Sequence, residues 1–112
     1  MCTKSQLEAI EEEKVNYYRS VYGDSIDTII LYGSYARGDY SDDSDIDITA
    51  IVRGNRVELQ KKLKKMWDFS TEVGLAYDVI VSPTVIPYDE FEQYKEKLPY
   101  YRNIVKEGRK IG

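Results

Sequence analysis

The apolar positions of the chain change period several times, and each change marks an element. From Lys4 to Tyr22, Leu7, Ile10, Tyr17, Tyr18 and Val21 recur at helical spacing, which predicts an amphipathic helix with Ser5 as N-cap and Gly23 as its stop. Glu8, Glu11, Glu12 and Glu13 fall on its predicted solvated face. Asp24-Ser25 then turns the chain into Ile26–Tyr32, a β-branched and aromatic run that reads as a buried strand. A second strand is predicted over Asp45–Val52, whose first four residues alternate charged and apolar, so Asp45 and Asp47 share a face.

After a turn at Arg53-Gly54-Asn55, a second helix is predicted from Arg56 to about Gly74. Leu59, Leu63, Met66, Trp67 and Val73 lie on its inward stripe and Lys61, Lys62, Lys64 and Lys65 on its solvated side. Leu75 to Ser82 reads as a third strand with Asp78 as its one acid. The segment that follows carries Pro83 and Pro87 and cannot be a central strand. Two short helical patterns close the chain, about Tyr88 to Leu98 and Pro99 to Glu107, with Pro99 in a first turn and Gly108 as a stop. They are expected to cap one end of the sheet. The fold class this implies is α/β (α+β), a small mixed sheet with helices packed on one face, in a single domain over residues 1–112.

Composition narrows the function. At 112 residues, 42% hydrophobic and 32% charged, the chain can bury a core but has no room for a second substrate domain. No apolar run approaches the ~20 residues of a membrane span, and Met1-Cys2-Thr3-Lys4 does not read as a signal peptide, so a cytoplasmic protein without a membrane role is expected. The single Cys2 excludes an internal disulfide and is expected to be inert. A net charge of −4 argues against general nucleic-acid binding. With no histidine, the commonest general base and zinc ligand is missing, which leaves hard-cation chemistry on oxygen ligands.

The candidate chemistry lies between the first two strands. Gly33-Ser34 forms a tight corner at the end of the first strand, and an acidic, Ser-rich loop leads from it to Asp45-Ile46-Asp47. Two residues along a strand span roughly 6.6 Å, so both carboxylates can reach one metal or a metal pair roughly 3.5–4 Å apart. Side by side and uncompensated they repel, and no Lys or Arg lies between Asp39 and Asp47 to offset them. Gly33-x4-Gly38 looks like the start of a P-loop, but Asp39-Tyr40 stands where Lys-Ser/Thr should follow. An EF-hand loop starting at Asp39 fails as well, since Ser44 and Ala50 replace its glycine and glutamate.

Gly33-Ser34, ten residues, then Asp45-Ile46-Asp47 resembles the signature of the polymerase-β-like nucleotidyltransferases. Gly33 to Gly38, Gly-Ser-x-Ala-Arg-Gly, is similar in particular to the small prokaryotic minimal nucleotidyltransferase (MNT) domains. The resemblance implies a third carboxylate on a neighbouring strand, for which Asp78 is the candidate. It also implies nucleotidyl transfer, with Asp45, Asp47 and Asp78 as catalytic residues holding Mg²⁺, two ions being expected. Gly33 and Ser34 would contact the phosphates of ATP, and Arg37 is the phosphate-facing cation, unless an ion pair with Asp39 or Asp42 accounts for it.

MNT proteins are commonly antitoxins of HEPN ribonuclease toxins, so the resemblance further implies AMP transfer to a partner tyrosine. Tyr35 stands where arginine is frequent in the family, which bears on the base and phosphate contacts at that corner. Two rival functions remain at this stage. One is an idle binding module acting by occlusion, the other transfer to a small molecule.

Overall fold

The protein is described by a computed structural model for residues 3–41 and 44–112, so the expectations for Cys2 and Asp42 lie outside the described residues. The chain runs α1 (Lys4–Tyr22), a 3₁₀ turn (Gly23–Ser25), β1 (Ile26–Tyr32), α2 (Ser34–Arg37), β2 (Ile46–Val52) and α3 (Arg56–Tyr77). It continues through β3 (Val81–Pro87), α4 (Tyr88–Tyr94), α5 (Pro99–Glu107) and β4 (Arg109–Lys110). The sheet is mixed, in the order β3-β2-β1-β4. β1 pairs antiparallel with β2 and β4, while β2 and β3 are parallel and joined through α3, the crossover that parallel strands require.

Period two on the strands sorts the core into two clusters. Ile29, Leu31, Ile46, Ile48, Ala50 and Val52 pack with α1 and α3 on one face. Ile51 and Ile86 pack with Phe91, Tyr101 and Ile104 of α4 and α5 in a second cluster. The helices expected on one face are thus α1 and α3, and the C-terminal pair covers part of the other. Tyr18 is fully buried in the first cluster and donates its hydroxyl to the carbonyls of Ile48 and Thr84, which ties α1 to β2 and β3.

Several expectations change with three-dimensional context. The N-cap of α1 is Thr3 in place of Ser5, in a reciprocal capping box with Gln6. Glu11 does not join the solvated face: it is buried and accepts two hydrogen bonds, at 2.9 and 3.1 Å, from Arg109 at the far end of the chain. Trp67 is 45% exposed, although Leu59, Leu63, Met66 and Val73 are buried as the stripe predicts. β3 covers the proline segment itself. As an edge strand it tolerates Pro83, consistent with the expectation that this segment is not central.

Lys14 is the outlier of the core. Its side chain is fully buried, its Nζ has no hydrogen-bond partner among the described residues, and the Phe69 ring lies 5.4 Å from it. Desolvation lowers its pKa to about 8. Because the folded pKa lies below the unfolded one, the unfolded chain binds the extra proton between the two. The charge therefore destabilises the fold fully below about pH 8, and the penalty fades as pH rises toward 10.5. Lys14→Met is expected to raise stability at neutral pH by roughly 2–3 kcal/mol. Urea midpoints measured against pH check this, and the advantage of the variant should shrink above pH 8.

Candidate nucleotide and metal site

β1 ends at Tyr32 and delivers Gly33 at φ +77°, a left-handed conformation that glycine adopts without a steric penalty. The carbonyl of Gly33 accepts from the amides of Ala36 and Arg37, both at 3.1 Å, which closes the single turn α2. Tyr35 is buried and stacks on Tyr40 with ring centroids 4.2 Å apart, so it braces the corner. Ser34, half-buried, opens the turn.

β2 brings Asp47 to this corner. Asp47 is the cross-strand partner of Tyr32, and its Oδ2 lies so close to Gly33 that a Cβ there would stand 2.6 Å away. Asp45 is exposed and precedes the strand by one residue. Asp47 is half-buried, and burial raises its pKa first, the Asp45 charge second, with Arg37 pulling the other way. Asp47 is thus placed against Gly33, with Asp45 two residues before it and close enough for its charge to add to the upward shift.

Asp78 needs correction. The strand expected over 75–82 begins only at Val81, as β3, and residues up to Tyr77 continue α3. Asp78 is the C-cap of that helix at φ 55°, its backbone N–H bonded to Gly74. Gly74 is required there because a Cβ would collide with the Val79 carbonyl, where the chain folds back. The local reason is that Tyr77 continues the inward stripe of α3 while Leu and Ala are good helix formers, and Asp tolerates the left-handed cap better than most residues.

Asp78 is also exposed, so it is not the carboxylate among apolar strand neighbours that the sequence suggests. The residue facing Asp47 from β3 is Ser82. Among the described residues no group of three or more acids is close enough to hold a metal. Asp78 and Asp45 do line one cleft. Since glycine takes the cap conformation freely, Asp78→Gly is expected to hold or raise stability, by up to ~1 kcal/mol, as thermal melts would show.

Arg37 is exposed and paired with Asp39 and Glu107, both at 3.1 Å. These carboxylates hold its pKa above the ordinary value, Asp39 first. The ion pair with Asp39 weighed from sequence is therefore present, and Glu107, seventy positions away, is a partner that sequence reasoning missed. The Tyr32 and Tyr100 hydroxyls, hydrogen-bonded at 2.8 Å, were missed as well. Burial raises the Tyr32 pKa first, and the nearby Asp47 charge adds to the shift.

The corner at the end of β1 thus lies against Asp47 of its antiparallel neighbour β2, with Asp45 just ahead of that strand. Residues 10–111 match the family model described as nucleotidyltransferase domain, and the chain belongs to that family. Two proteins of Methanocaldococcus jannaschii named as candidate protein adenylyltransferases are similar to it. One is 37% identical over 98 residues, covering 88% of this chain and 90% of that protein. The other is 33% identical over 95 residues, covering 79% and 93%.

Among solved structures, a toxin–antitoxin with AMP-PNP superposes with a TM-score of 0.54 at 18% identity, covering 90% of this chain and 72% of that one. A mutant of the toxin–antitoxin MntA-HpeT gives a TM-score of 0.54 at 16% identity with the same coverage. At such identities these two establish the fold. No helix among the described residues is long and apolar enough to cross a membrane.

Proposed function

We propose that this nucleotidyltransferase moves AMP from Mg-ATP to a hydroxyl of a partner protein, a tyrosine of a HEPN ribonuclease toxin, and so acts as its antitoxin. The observation that carries the reading is the Gly33 cradle against Asp47 beside Asp45. Its support on the protein acceptor is the kinship with the adenylyltransferase relatives.

Mg²⁺ commonly binds one or two carboxylates and completes its shell with substrate phosphates, so Asp45 and Asp47 suit it without a third acid. Held there with the triphosphate, the metal would neutralise charge developing on the bridging oxygen. Gly33 lets the backbone approach the β- and γ-phosphates, and the Ser34 hydroxyl donates to them. Arg37 exchanges Asp39 and Glu107 for phosphate oxygen, and Asp78 serves the acceptor side from the cleft it shares with Asp45.

Incubation of the partner with α-labelled ATP and Mg²⁺ tests the proposal. Label is expected on the partner with the wild-type protein and to be lost with Asp45→Asn. Equal inhibition of the partner by both proteins with no label would favour occlusion and overturn the reading. In the same assay Asp78→Gly is expected to lower transfer at least about tenfold while the fold persists.

A further inference from the structure

A cleft of about 520 Å³ opens beside Asp45, between the second half of α3 and the start of β3. Its wall carries Trp67, Leu75 and Ile80, which are 45%, 80% and 62% exposed, next to the Asp78 carboxylate, while the Ser70 and Thr71 hydroxyls donate to the Met66 and Trp67 carbonyls. Large apolar side chains left in water around a concave surface mark a binding site, and a tryptophan among apolar neighbours with a carboxylate at one side suits a phenol, apolar in its ring and polar at its tip.

The position of the cleft relative to the carboxylates decides what fills it. Gly33 and Ser34 adjoin Asp47 and are not part of the cleft, whereas Asp45 and Asp78 are. In an in-line displacement the attacking and leaving oxygens lie on opposite sides of the reacting phosphorus. With the leaving pyrophosphate at the Gly33-Ser34 end, the attacking hydroxyl must come from the Asp45 end.

We infer that this cleft is the acceptor subsite and takes the side chain of a tyrosine from the partner protein, seated on Trp67 with Leu75 and Ile80 at its rim. The inference rests on the nucleotidyl-transfer reading above and adds to it the place and chemistry of acceptor binding. The tyrosine oxygen forms a bond to the α-phosphorus, the bond from that phosphorus to the bridging oxygen breaks, and pyrophosphate leaves. The hydroxyl proton passes to water at the open mouth.

Trp67 is the sole tryptophan of the chain, so its emission reports on the cleft directly. N-acetyl-tyrosinamide, titrated with a non-hydrolysable ATP analogue and Mg²⁺ present, is expected to change that emission saturably, whereas N-acetyl-alaninamide should not. Leu75→Lys and Ile80→Lys alter exposed positions and are expected to weaken the tyrosinamide response about tenfold each, with binding of the ATP analogue unchanged. A response to the ATP analogue alone, with none to tyrosinamide, would make the cleft a nucleobase pocket and overturn the assignment. Silence toward both would overturn it too. A tyrosinamide response without any AMP transfer to protein would support the cleft and count against the transferase reading, so the two failures are distinguishable.

Discussion

Asp47→Asn is expected to abolish AMP transfer while making the protein more resistant to unfolding. The carboxylate is half-buried, desolvated and set beside the Asp45 charge, and both effects raise its pKa in the folded state. With the folded pKa above the unfolded one, the native state holds the proton more tightly. Stability contributed by this group is therefore present at low pH and lost as pH rises through the folded value. Neutralising the side chain removes that cost above the carboxylate range, so thermal midpoints of wild type and variant should diverge with rising pH and converge in acid.

Transfer should fall by a factor on the order of 10³ or more, because the charge held at the reacting phosphate is what the site contributes. Gain of stability with loss of chemistry is the mark of a functional group kept at the expense of the fold. A purely structural aspartate would show the reverse.

The second large effect is expected at Gly33. An added methyl meets Asp47 Oδ2 at 2.6 Å, and the backbone at φ +77° disfavours any side chain. Gly33→Ala should lose about 1–3 kcal/mol of stability and, where it folds, transfer should drop at least ~100-fold. The displaced carboxylate and the blocked phosphate approach act together, so the loss should exceed what unfolding explains. Activity measured well below the melting temperature separates the two contributions.

The parts of the fold that were legible in the sequence are those set by local pattern. α1, β1 and α5 run over Lys4–Tyr22, Ile26–Tyr32 and Pro99–Glu107, where Gly23, the β-branched run and the Pro99/Gly108 pair mark them in the sequence. Asp47 meets Gly33 because the corner ends β1 and the Asp-Ile-Asp-Ile run opens the antiparallel strand beside it, both visible as local pattern. What stayed hidden depends on distant partners. Glu11 looks solvated until Arg109 arrives from β4, a two-residue strand too short to leave a periodic trace.

Lys14 falls on the spacing of the Leu7-Ile10-Tyr17-Val21 stripe, but its charge reads as solvated, and Trp67 matches the inward stripe but lies at the rim of a cleft that only folding creates. Asp78 fell in an apolar run that reads equally as a strand or as the end of a helix, and the structure resolves it as the helix cap.

The central claim is that Asp47, Asp45 and the Gly33 corner form a magnesium-dependent nucleotide site. Calorimetric titration with a non-hydrolysable ATP analogue tests it most directly. Binding that requires Mg²⁺ and disappears in Asp47→Asn is the predicted result. Binding of equal strength without the metal, or undiminished in the variant, would contradict it.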